Sequence, residues 1–205
     1  TLYASVIPIT DTSVNLHSTC NIFQPNTNPS TFIDCLKEIS SESFWKNIEV
    51  DDDGDWIIKS VLQGTLVIGM DGSYMSKLSH TACSGAFIMH CTDTKLETKG
   101  CMADASPKAD NYRGEFLGAL GPLLILRAVF MANPQVDCSH VRLGLHCDNK
   151  GVVTHGNQPY ASIKADQVQA DLIRLQKIYS RILPVQLQWH HVKGHSDDTK
   201  RFADL

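Results

Sequence analysis

Apolar positions are irregular over the first third of the chain and then fall into clear runs. Residues 1 to 29 are rich in Thr, Ser, Asn and Pro and lack periodicity, as linkers and loops do. Ser30 is placed to cap a helix through Lys46, with Phe32, Leu36, Ile39 and Phe44 inward at a loose spacing of three to four. After the acidic turn Asp51-Asp-Asp-Gly54, Asp55 reads as an N-cap, 56 to 63 as a short helix and Gly64 as its stop. Residues 65 to 71, 84 to 91 and 95 to 102 then read as strands, the last two joined by Thr92-Asp-Thr94, a connection short enough for a hairpin. Residues 110 to 132 read as a helix that is apolar nearly all round and therefore buried, with Pro122 expected to kink it. Residues 140 to 148 form a fourth strand and 149 to 155 a short helix. Val168, Leu172, Leu175, Tyr179 and Ile182 mark an amphipathic helix over 163 to 182, and Val185, Leu187 and Trp189 alternate on a fifth strand, 184 to 192. The order β-β-β-α-β-α-α-β predicts an α/β fold, a five-stranded mixed sheet covered by helices.

Composition narrows this picture. At 205 residues and 42% hydrophobic the chain can bury one full core and carry an appended segment. The expected division is residues 1 to 60 as a leader, linker or part of a preceding connection region, and 61 to 205 as the domain. Seven cysteines, odd in number and without a C-x-x-C pair, read as reduced, buried thiols of an intracellular protein, in cytoplasm or nucleus. The longest uncharged apolar stretch lies between Glu115 and Arg127, short of the roughly 20 residues that cross a bilayer, so no membrane partner is expected. The net charge of −4 is uneven: residues 1 to 60 hold three Lys/Arg against nine Asp/Glu, and the remainder fifteen against thirteen. A metal on three of those acids would leave a modestly basic surface, which permits a nucleic-acid partner without establishing one.

The candidate chemistry lies in three carboxylates. Asp71 ends an apolar run before a Gly-Ser turn, Asp148 ends another, and Glu115 opens the long apolar helix that must pack on the same sheet. Taken singly they read as a turn residue, a cap and a helix-terminus acid. Taken together they can converge on a hard cation, which oxygen ligands suit and without which they would repel one another. A strand ending in His191-Val-Lys-Gly-His195 adds an exposed imidazole able to exchange protons near neutrality. Cys83, Cys91 and Cys101 with His80 and His90 lack zinc spacing and read as core.

Asp-Gly-Ser at 71 to 73, Asn-Tyr-Arg-Gly-Glu at 111 to 115, His-Cys-Asp-Asn at 146 to 149 and His-Val-Lys-Gly-His at 191 to 195 resemble ribonuclease H type 1, specifically the domain downstream of reverse transcriptase in eukaryotic retroelements. The resemblance covers roughly residues 64 to 205 and implies a ribonuclease H-like fold. It also implies an endonuclease that cuts the RNA strand of RNA/DNA hybrids with two Mg²⁺ ions, or Mn²⁺ as substitute. Its partners would be the hybrid and the reverse transcriptase portion of the same polyprotein. Asp71, Glu115 and Asp148 would be metal ligands and His195 would assist proton transfer. Gly72, Ser73, Asn111 and Asn149 would meet the substrate, with an N-cap role the alternative for Asn111. The family's fourth carboxylate lies on a last helix, whereas Asp197 and Asp198 follow His195 too soon and Asp204 is one residue from the end. A C-terminally truncated domain is therefore expected, and a truncated or decayed domain that grips nucleic acid without cutting it is the alternative.

Overall fold

The structure, a computed structural model, describes residues 31 to 164 and 166 to 194. A six-stranded sheet forms its centre: β1 (Ile48–Val50), β2 (Leu66–Ser73), β3 (Ala82–Cys91), β4 (Glu97–Ala105), β5 (Arg142–Cys147) and β6 (Gln186–His191), in the order β1-β4-β3-β2-β5-β6. β1, β4, β3 and β2 pair antiparallel; β5 and β6 run parallel to β2. This is the α/β architecture expected, a mixed sheet with helices, with one strand more. The extra strand is too short for a period to show, and it pairs Ile48 with Gly100 on the edge of β4.

Among the described residues six helices accompany the sheet: α1 (Phe32–Ile39), α2 (Glu42–Trp45), α3 (Asp55–Gln63), α4 (Asn111–Ala132), α5 (Lys150–Gly156) and α6 (Ala170–Ile182). α4 packs on β2, β3 and β4 and is covered in turn by α1 and α6. A helix inside such a sandwich has no wet face, which is why its sequence is apolar all round. By length and hydropathy α4 could cross a membrane, yet 83% of its apolar window is buried in the protein, as in a core helix. Pro122 lies within it, and the helix runs unbroken from Asn111 to Ala132.

Several boundaries move for local reasons. The helix expected over 30 to 46 is two helices: Thr31 caps α1 through a capping box with Asp34, and Ser40 turns extended before α2 begins. Phe32, Leu36 and Phe44 join the same core as the sheet, so residues 31 to 60, expected as a leader, pack on the domain. Gly54 rather than Asp55 caps α3, at φ +81, a conformation that favours glycine, and Gly64 ends it as expected. β4 begins at Glu97 because Lys95 takes a positive φ in the turn. α6 begins only at Ala170, because Gln169 sits at φ +58; Val168 is left exposed, and the buried side of α6 holds Leu172, Ile173, Gln176 and Lys177. His190 and His191 are both exposed on β6. Among the described cysteines Cys101 alone is exposed, where a buried thiol was expected.

Candidate metal centre

The parallel strands β2, β5 and β6 end on the same side of the sheet, the edge where α/β proteins place their sites. Asp71 lies near the end of β2, Asp148 follows β5, and the chain after β6 passes over Asp148: a Cβ on Gly194 would stand 2.6 Å from Asp148 Oδ2. α4 delivers Glu115 to this edge through a close approach of backbones. A Cβ on Gly72 would lie 2.3 Å from the Glu115 amide nitrogen, so the first turn of α4 sits where only glycine fits.

Glu115 is 3% exposed. Its Oε1 accepts from Asn111 Nδ2 at 3.4 Å, and its Oε2 lies 3.9 Å from the Cys147 thiol donor. Burial first, then the charges of Asp148 and Asp71, push its carboxyl up to about 7 against the opposing pull of the Gly72 amide. Ligand atoms of Glu115, Cys147 and Asp148 lie within 4.8 Å of one another. Asp71 stands outside that tight group, exposed, with one oxygen accepting the Gly72 N–H at 2.8 Å. Asp148 also anchors the end of β6, since its carbonyl oxygen lies 2.9 Å from His191 Nε2.

Cys147 was missed as a site residue. It reads as one apolar position of a strand, and only the parallel register that pairs it with Met70 turns it toward Glu115. Burial first, then the neighbouring carboxylates, push its thiol up to about 12, and in the metal-free site it faces Glu115 Oε2 as a donor. The carboxylate oxygens gathered here suit a hard cation such as Mg²⁺. The residues present therefore fit the ion that the resemblance implies.

The remaining expected residues are placed as follows. Gly72 turns its bare Cα toward α4, so helix packing already requires it. Ser73 is exposed at the end of β2. Asn111 is exposed in the first turn of α4, whose cap is Asp110 and not Asn111. Asn149 caps α5 through its Oδ1, which accepts from Gly151 and Val152 N–H at 2.9 and 3.3 Å. His195, Asp197, Asp198 and Asp204 lie outside the described residues.

Behind the site a polar network fixes the start of α4. Buried Arg113 donates to Asp104, to Gln169 Oε1 at 2.7 Å and to Asp171 Oδ2 at 3.0 Å. Gln169 in turn donates to the Asp110 carboxylate at 3.1 Å. Sequence reasoning missed these partners, since contacts between residues some sixty positions apart leave no periodic signal.

No family model matches the sequence, and no curated protein matches it. Solved structures with a similar chain path include the N-terminal RNase H domain of Rv2228c from Mycobacterium tuberculosis, at 14% identity and a TM-score of 0.41, covering 63% of this chain and 82% of that one. RNase H1 from Halobacterium salinarum aligns at 14% identity and a TM-score of 0.43, covering 65% and 89%. The PFV RNase H domain aligns at 10% and 0.45, covering 67% and 84%. At these identities and scores the likeness carries no weight on chemistry.

Proposed function

We propose that the chain is a ribonuclease H-type endonuclease that hydrolyses the RNA strand of RNA/DNA hybrids, as one segment of a retroelement reverse transcriptase. The observation that supports it most is Glu115, whose carboxyl is pushed up to about 7 by burial first and then by the charges of Asp148 and Asp71, where two parallel strands end. Such an arrangement is unfavourable for its own sake, and perturbed carboxylates of this kind gather where a cation or a proton is handled. The hybrid as substrate rests on the four motifs from Asp71 to His195.

In this reading Asp71, Glu115 and Asp148 would hold Mg²⁺, which when bound would supply an activated water and stabilisation of the leaving oxygen at the phosphodiester. The protein does the positioning. Gly72 N–H fixes the Asp71 carboxylate, while Asn111 and the Cys147 thiol orient the two oxygens of Glu115. Exposed Asn111 and Ser73 flank these acids and can meet a 2′-hydroxyl in the shallow groove of the hybrid. His195 moves protons to and from the departing product. The products are a 3′-hydroxyl and a 5′-phosphate.

A labelled hybrid incubated with Mg²⁺, beside a binding measurement in EDTA, tests the reading. Cleavage of the RNA strand that disappears in Asp71→Asn, with melting temperature unchanged or raised in the absence of metal, is expected. Binding in EDTA without cleavage in Mg²⁺ would instead make the chain a binding module.

A further inference from the structure

Arg174, Lys177 and Arg181 recur at intervals of three and four on α6, so they share one face of the helix. With Tyr160 and Ser162 of the preceding loop they line a groove of about 340 Å³. None of the three carboxylates of the metal centre lines it.

The charge in this groove is one-sided. Lys177 is only 4% exposed, and its ammonium donates to the Gln158 carbonyl. None of the ion pairs found among the described residues involves Arg174, Lys177 or Arg181. Burial and then the Arg181 charge hold the Lys177 ammonium below its ordinary value, and burial and then Lys177 do the same to His155 on α5. A lysine taken out of water is normally matched by an acid, whereas the charged neighbours that act on this one are cationic. An anion that joins them removes the mutual repulsion and supplies the negative charge that the neutral Gln158 carbonyl does not.

We propose that this groove binds a phosphate group, either an internucleotide phosphate of a single strand or a free phosphate. Two exposed guanidinium groups beside an ammonium match the several oxygens of a tetrahedral phosphate better than a single planar carboxylate, because arginine donates in pairs. Tyr160, 82% exposed at the rim, offers a ring on which a neighbouring base can stack. The site does not depend on the hydrolytic reading of the metal centre.

The test uses the full chain and the double variant Arg174→Gln/Arg181→Gln, both positions being exposed, with Arg174→Glu as a second variant and a thermal melt as the check on folding. One arm follows binding of a short fluorescent single-stranded DNA in EDTA across a salt series; the other follows stabilisation by millimolar inorganic phosphate. For a strand, affinity falls about tenfold in the double variant, and the slope of log affinity against log salt shrinks by about 1.4, at ~0.7 for each phosphate no longer neutralised. For free phosphate, the anion raises the melting temperature of the wild type and not that of the variants. Either result supports the groove and names its source. Unchanged strand affinity and salt slope, together with equal phosphate stabilisation in wild type and variants, would overturn it.

Discussion

Burial changes Glu115 from an ordinary surface acid into a group that titrates near neutrality, and this gives the site a pH signature before any activity is measured. The folded value of about 7 lies above the 4.5 of a free glutamate. Below about pH 4.5 the side chain is neutral in both states and contributes no penalty. As pH rises, the unfolded chain loses its proton first, so stability falls until the folded carboxyl ionises too, and the full penalty remains above that. In metal-free protein Glu115→Gln should therefore gain stability over wild type as pH is raised from about 5 to about 8, by on the order of 3 kcal/mol at the upper end. Urea midpoints of both proteins across that range measure it. His146 and His155 are shifted down and slope the opposite way below the ordinary histidine value, but they are common to both proteins and cancel in the difference. A constant difference with pH would mean that Glu115 is not buried beside Asp148 and Asp71. Mg²⁺ should narrow the gap, since a cation removes the repulsion that Glu115→Gln also removes. The three acids stood out in the sequence because Asp71 and Asp148 close apolar runs and Glu115 opens the apolar helix that packs on them. Cys147 beside them was not, because a cysteine inside a strand looks the same whether it faces a leucine or a carboxylate.

At the scale of elements, the close contact of α4 with the sheet decides where the site can form. A Cβ on Gly85 of β3 would come within 1.9 Å of the Gly118 backbone nitrogen, and one on Gly118 within 2.8 Å of the Asp71 carbonyl oxygen. Backbone thus meets backbone along the seam that carries Glu115 to Asp71. Gly85→Ala must push α4 away, a destabilisation of roughly 1–3 kcal/mol or more. Gly64→Ala meets nothing within 4 Å and is strained only by its φ of +70, at about 1 kcal/mol. The ranking Gly85→Ala worse than Gly64→Ala, read from denaturant midpoints, checks the seam; the reverse order would place α4 farther from the sheet. Long apolar elements such as β3 and α4 were readable to within a few residues. Boundaries set by tertiary contacts were not. The start of α6 is held by Gln169, whose left-handed backbone is tied through its side chain to Arg113 and Asp110, and nothing in the local pattern of 163 to 170 signals that.

For the whole molecule, the helices gather around α4 on one face of the sheet, while the other face presents Ala86 and Cys101 exposed and Ile88 half-buried. Alternation along β4 puts Cys101 on that open side, paired with Ala86 of β3. The sequence predicted a sheet with helices upon it but not which face they choose, because Ala86 and Ile88 on the open side of β3 are apolar like Phe87 and Met89 on the covered side. Thiol chemistry distinguishes the two faces. Cys91 has the more reactive electronic environment: burial pushes its thiol up, but donors from Ser60, Thr65 and Thr94 outweigh it and bring it down to about 6. Were thiolate character decisive, Cys91 would be alkylated first at neutral pH. Access decides otherwise, since Cys91 is 1% exposed between the sheet and its helices. Brief alkylation of the folded protein followed by peptide mapping should therefore modify Cys101 ahead of Cys35, Cys83, Cys91, Cys138 and Cys147. These five should react only as fast as the fold opens, and denaturant should bring Cys91 level with the rest. Early labelling of Cys91 in native protein would mean that the helical layer does not cover β3, and with it the seam that positions Glu115 would have to be redrawn.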